Sequence, residues 1–192
     1  MNLFYEDYPT TISVDGVEIP IVTDFREYVK MMDMLKTEDL TLQEKTCFLA
    51  QYFLAPPENL KNALDVLQDF ITMEAWKNWK TAGDPEEETE EPYQKEKDIY
   101  SFEIDYPFLF SGFLQDYGIN IRTVPYMHWW EFQMLFWGLS ENTEIKQRIK
   151  YRSMDVSKIK DREERKRVEK IQSAIRLPDA ALTDFDIGSA FA

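Results

Sequence analysis

The sequence predicts a mainly α chain, a helical bundle in two halves with a small N-terminal β-hairpin. Three observations predict it. Apolar residues recur every three or four positions through most of the chain, behind residues that cap helices. An Asp-Gly pair sits between two short segments of alternating apolar residues. A run of carboxylates bracketed by prolines parts the chain near its middle. Residues 1–82 are read as the hairpin plus a three-helix half, 83–98 as an acidic linker, 99–176 as an aromatic-rich helical half and 177–192 as a tail.

The hairpin is expected over Thr11 to Ile21, turning at Asp15-Gly16. Alone it would be marginal, so it must lean on helices. Asp24 then caps a helix, with Glu27 in the capping-box position and Phe25, Tyr28, Val29, Met32 and Leu35 on one face. Thr41 and Glu44 form a second box, opening a helix that ends before Pro56-Pro57. Pro57 suits the first turn of a third helix, lined by Leu60, Leu64, Leu67 and Ile71 and running to about Trp79, with Gly83 as its stop.

Six of the eight residues from Asp84 to Glu91 are acidic and none is basic, so like-charge repulsion opposes collapse there. The run is either a solvated linker or an acidic arm for a basic partner. Beyond it, a helix is expected from about Glu103 to Tyr117, with Pro107 near its start and Gly118 as its C-cap. The last clear helix opens at Asp161, with Glu164 three residues on and Val168, Ile171, Ala174 and Ile175 as its apolar stripe.

Net charge is −14 and the isoelectric point is about 4.5, which argues against nucleic acid as a partner, because phosphate binding needs clustered Lys and Arg. From Glu144 to Arg176 the balance reverses, with twelve Lys and Arg against six Asp and Glu. That segment is either a solvated helix face or a basic end that pairs head-to-tail with a neighbouring copy in a homo-oligomer. The single cysteine, Cys47, excludes an internal disulfide and fits a reducing compartment. The first residues have neither the basic nor the apolar region of a signal peptide, and no apolar run of about 18 residues predicts a membrane span.

Chemistry-bearing patterns are sparse. His128 is the only histidine, so a site built on several imidazoles is impossible within one chain. His128 and Glu131 resemble half of a Glu-x-x-His motif in reverse, which without further ligands is no metal site. Cys47, in KTCFLAQYFL, is expected to be a buried small residue, and Cys47 and His128 carry no spacing that marks a nucleophile and its base. There is no phosphate-binding glycine loop, GxSxG elbow or Cys-x-x-Cys pair. No catalytic residue, metal or cofactor is expected.

The stretch PYMHWWEFQMLFWGL, Pro125 to Leu139, holds three of the five tryptophans. From Tyr126 to Leu139 it is expected to be a helix, mostly buried. Trp129, Phe132, Phe136 and Leu139 would point one way, and Met127, Trp130, Met134 and Trp137 another. Together they exceed the apolar third of an ordinary surface helix. At roughly 22 Å the stretch is too short to cross a bilayer comfortably. It is either a central core helix, or a helix with one face buried and one offered to a partner. Trp129, Trp130, Phe132, Met134, Phe136 and Trp137 are the candidate partner-binding residues, since adaptable interfaces favour these side chains.

A family resemblance runs through this region. An aromatic helix ends in Gln115-x-Tyr117-Gly118-Ile119; then come His128-Trp129-Trp130-x-Phe132, Gly138-Leu139-Ser140, and Tyr151-Arg152. The pattern resembles a family of tailed-phage and prophage proteins named after gene product fifteen of a phage of Gram-positive bacteria. It covers roughly Ile99 to Ile175 and, more loosely, the N-terminal helices. The resemblance implies a tail assembly chaperone that binds and solubilises the tape-measure protein beside other tail assembly proteins. Such a protein would act in the host cell cytoplasm and be absent from the mature virion. The alternative is a structural virion component, a minor tail or connector protein. No catalytic residue is attributed to the family.

Overall fold

The computed structural model of the chain describes residues 5–37, 39–74 and 99–177. Among these it is mainly α, with seven α-helices, two 3-10 turns and one two-stranded antiparallel hairpin. The described residues divide into two compact units, one of residues 5–37, 39–74 and Tyr126–Phe132, the other of residues 99–125 and 133–177. The linker of residues 83–98, the stop at Gly83 and nearly all of the tail lie outside the described residues.

In the first unit, β1 (Thr11–Val14) pairs with β2 (Val17–Pro20), Val14 opposite Val17. Asp15 and Gly16 both have positive φ, 51° and 84°, the backbone that a two-residue hairpin turn requires. Ile12, Val14 and Ile19 are buried. The hairpin leans on a helix as expected: the Asn62 amide donates to the Asp15 carboxylate at 2.9 Å from the first turn of α3 (Leu60–Ile71). The chain beyond β2 also pairs with residues 52–54, through Val22 N–H to Tyr52 carbonyl at 2.9 Å and Leu54 N–H to Pro20 carbonyl at 2.8 Å.

Helix α1 spans Phe25–Lys36. Asp24 caps it by accepting from the Arg26 N–H, but Glu27 turns to Lys30 at 2.7 Å instead of closing a box. Its buried face is Phe25, Tyr28, Met31 and Leu35; Val29 and Met32 flank it. At α2 (Leu42–Leu49) the Thr41–Glu44 box is present in both directions. Pro57 lies ahead of α3, which Asn59 caps by accepting from the Asn62 N–H. The helix stops at Ile71, short of Trp79, because Thr72 caps it and Met73 adopts φ 57°, a left-handed turn that ends the ladder. Leu64, Leu67 and Ile71 are buried as expected, joined by Ala63 and Phe70, while Leu60 is half-buried.

In the second unit, α4 spans Tyr106–Tyr117, starting three residues later than the sequence suggests, with Pro107 at its second position. Gly118 takes φ 67°, and the Ile119 N–H returns to the Phe113 carbonyl at 3.3 Å. Two further helices follow, α6 (Glu144–Ser153) and α7 (Arg162–Ala174). Asp161 caps α7 by accepting from the Glu164 N–H at 2.7 Å. Of the stripe expected on α7 only Val168 is buried. On the same helix the Gln172 amide donates to the Tyr151 and Met154 carbonyls at 2.8 Å each.

Two contacts hold the second unit together. Gly112 lets α4 and α6 approach closely, since a Cβ there would meet Leu139 at 3.3 Å and Ile145 at 3.4 Å. Arg152 and Asp105, both buried, form a two-pronged ion pair at 2.5 and 3.0 Å. Arg152 also donates to the Ile175 and Ile99 carbonyls, and Asp105 accepts from the Ser101 N–H. One guanidinium thus ties together the end of α6, the end of α7, the start of α4 and the segment before it. With every charge-bearing atom partnered, the burial penalty of the pair is offset.

Candidate functional site

Helix α5 spans Trp129–Gly138, so it opens three residues later and closes one earlier than the expected Tyr126 to Leu139. Its first four residues belong to the first unit and the rest to the second.

The opening of α5 is built around His128. The Pro9 carbonyl can only accept and lies 3.0 Å from Nε2; the Trp130 N–H can only donate and lies 3.0 Å from Nδ1. The imidazole is therefore neutral, with its proton on Nε2 and a bare Nδ1 that caps the first turn of α5. Burial holds His128 below the ordinary histidine range, partly opposed by the Pro9 contact. Tyr8 stacks on the ring at 4.9 Å, and Phe70 meets it edge-on at 5.8 Å. Main-chain bonds from Phe25 N–H to Met127 carbonyl (3.0 Å) and from Trp129 N–H to Thr23 carbonyl (2.8 Å) fix the approach.

The two adjacent indoles have one task in common. Trp129 Nε1–H donates to the Ile71 carbonyl at 3.0 Å, and Trp130 Nε1–H donates to the Phe70 carbonyl at 2.8 Å. These carbonyls lie in the last turn of α3, and that of Phe70 also accepts from the Met73 N–H at 3.2 Å. Phe132 stacks between Phe25 at 4.6 Å and Trp129 at 5.8 Å.

The six candidate partner-binding residues separate by exposure. Trp129, Trp130, Phe132 and Phe136 are buried within the chain, Met134 is half-buried, and Trp137 is 47% exposed. The stripe Trp129, Phe132, Phe136 and Leu139 is buried throughout; the other runs from buried Met127 and Trp130 to exposed Trp137. Lys146 donates to the Trp137 carbonyl at 3.0 Å and lies 5.7 Å from its ring centroid, while Tyr100 meets that ring edge-on.

Most other residues of the motif have local duties. The Tyr117 hydroxyl donates to the Leu135 carbonyl at 2.9 Å, and a Cβ at Gly138 would come within 3.0 Å of that hydroxyl. Ser140 N–H and Oγ both bond the Asp116 carboxylate, at 2.7 and 3.1 Å. Asp105, the partner of Arg152, escaped the sequence reading, since nothing local marks it as buried. Cys47 is exposed rather than buried as expected, because α2 turns Leu49 inward instead, whereas His128 is buried. Among the described residues no group of three His, Cys, Asp or Glu is placed to hold a metal ion, and no helix is long and apolar enough to cross a membrane.

The fold and the motif thus define a mainly α chain whose His-Trp-Trp run clasps its own first unit. The sequence model of the family described as Bacteriophage Gp15 protein matches residues 4–177, and the chain belongs to that family of phage proteins. No curated protein and no solved structure matches it.

Proposed function

We propose that the chain is a non-catalytic tail assembly chaperone that binds and solubilises the tape-measure protein during siphophage tail assembly. It acts in the host cell cytoplasm, without nucleotide or other cofactor, and leaves before the virion is complete. Membership of the phage family is the observation that carries this reading. The exposed indole of Trp137, beside half-buried Met134, supports it as apolar surface left for a partner. Trp129, Trp130, Phe132 and Phe136 then serve the interface by holding α5 in place.

The test is to express the tape-measure protein of the same phage or prophage with and without this chain. The chaperone reading expects tape-measure protein in the soluble fraction only on co-expression, and this chain missing from purified particles by mass spectrometry. Equal solubility in both cultures would remove the reading. Stoichiometric presence in particles would favour a structural tail or connector component.

A further inference from the structure

Helix α7 turns Val168 and Gln172 toward its own unit and leaves cations on the opposite side. Arg162, Lys166 and Lys170 stand four residues apart and make one row, with Arg167 beside it, and all four are exposed. The side chains of Arg162, Arg167 and Lys170 make no ion pair or hydrogen bond among the described residues. Lys166 reaches only Glu163, at 3.5 Å, and both of those side chains are exposed. Elsewhere the pairing is closer, as between Arg148 and Glu144 on α6 and between Lys30 and Glu27 on α1. Like charges one turn apart repel, so an anionic segment laid along the row would relieve a cost that the helix does not relieve itself.

The chain carries a segment of matching charge, Asp84 to Glu91, with six carboxylates and no cation. Where the chain re-enters the described structure brings that segment within reach. Arg152 donates through Nε to the Ile175 carbonyl at 2.8 Å and through Nη1 to the Ile99 carbonyl at 3.2 Å. Ile99, the first described residue after the acidic run, therefore lies beside the C-terminal end of α7. Seven residues separate Glu91 from Ile99, and that length of chain spans at most about 29 Å. From Ile175 back to Arg162 is about 20 Å of helix. The tether can thus lay the acidic run along the whole row. A tether this short gives a local concentration on the order of millimolar, which suits ion pairs that are individually weak.

We infer that the row Arg162–Lys166–Lys170, with Arg167, is the docking surface for the acidic run Asp84 to Glu91 of the same chain. The test uses the full chain with Cys47→Ser and Thr89→Cys, so that one nitroxide spin label sits within the acidic run. Nuclear magnetic resonance of the isotope-enriched protein reads how far the label broadens each amide, with the reduced label as reference. The tether alone broadens residues near Ile175, so the deciding signals are Arg162 and Lys166, toward the far end of α7. Their amides should lose intensity about twofold or more at low ionic strength and regain it in about 1 M salt, where the screening length is about 3 Å. The triple variant Arg162→Gln, Lys166→Gln and Lys170→Gln should show the same recovery without added salt. All three positions are exposed, and a thermal melt checks that the fold is kept.

Intensities at Arg162 and Lys166 that respond neither to salt nor to the three substitutions would overturn the inference. A mixture of spin-labelled, unenriched chain with enriched, unlabelled chain separates contacts within a chain from contacts between copies. No broadening in the mixture is the expected result. Broadening there as strong as within one chain would place the acidic run on a neighbouring copy and overturn the inference. The inference stands apart from the chaperone reading, which co-expression with the tape-measure protein tests separately.

Discussion

At the residue scale, His128 shows how much a single side chain can do in its neutral form. Its bare Nδ1 caps α5 and its Nε2–H holds Pro9, so a second proton would turn the cap acceptor into a donor facing the Trp130 N–H. Its folded pKa lies below the unfolded value of about 6.5, so the unfolded chain takes up the proton first. The stability it contributes is full above the unfolded pKa and is lost as pH falls through the folded pKa. Urea midpoints measured between pH 8 and pH 5 should therefore fall more steeply for wild type than for His128→Asn, which keeps an acceptor but gains no proton. Parallel curves would mean that the imidazole is not the group responsible. Trp130 tests the clasp from its other side. Trp130→Phe removes the donor to the Phe70 carbonyl and should cost about 1–3 kcal/mol. Trp130→Ala also empties a buried site and should cost about 3–5 kcal/mol. A wild-type melting temperature in the alanine variant would show that the indole does not hold the core.

At the scale of elements, local signals were legible and distant ones were not. The Asp15-Gly16 turn, the Thr41–Glu44 box, the Asp161 cap and the Gly118 stop each depend on residues within one turn, and each stands where the sequence puts it. Pro57 misled because proline is as compatible with the approach to a helix as with its first turn, and Asn59 supplied the better cap. The partner of Arg152 lies 47 residues away, and the carbonyls that receive the two indoles lie 58 and 60 residues away. No periodicity encodes such pairings. The Asp105–Arg152 pair gives a direct test of its role in joining elements. Arg152→Ala should cost about 3–5 kcal/mol, because it strands a buried carboxylate. The double variant Asp105→Leu with Arg152→Met should recover much of that loss, because the bare charge is gone. A double variant as unstable as the single one would mean that the carbonyl contacts to Ile99 and Ile175, rather than the ion pair, hold the unit.

At the scale of the whole molecule, the question raised by the tryptophan-rich stretch has a divided answer. Its His-Trp-Trp opening is internal architecture, and its apolar excess reaches solvent at Trp137. Sequence alone left core and interface as alternatives because both demand the same side chains; exposure separates them. The central claim is that the remaining apolar surface binds a tape-measure helix. Isothermal titration of the purified chain with a tape-measure fragment, at several temperatures, tests it most directly. Burial of apolar surface predicts saturable binding with a clearly negative heat-capacity change. An absence of binding, or binding whose enthalpy does not vary with temperature and which vanishes on adding salt, would contradict it.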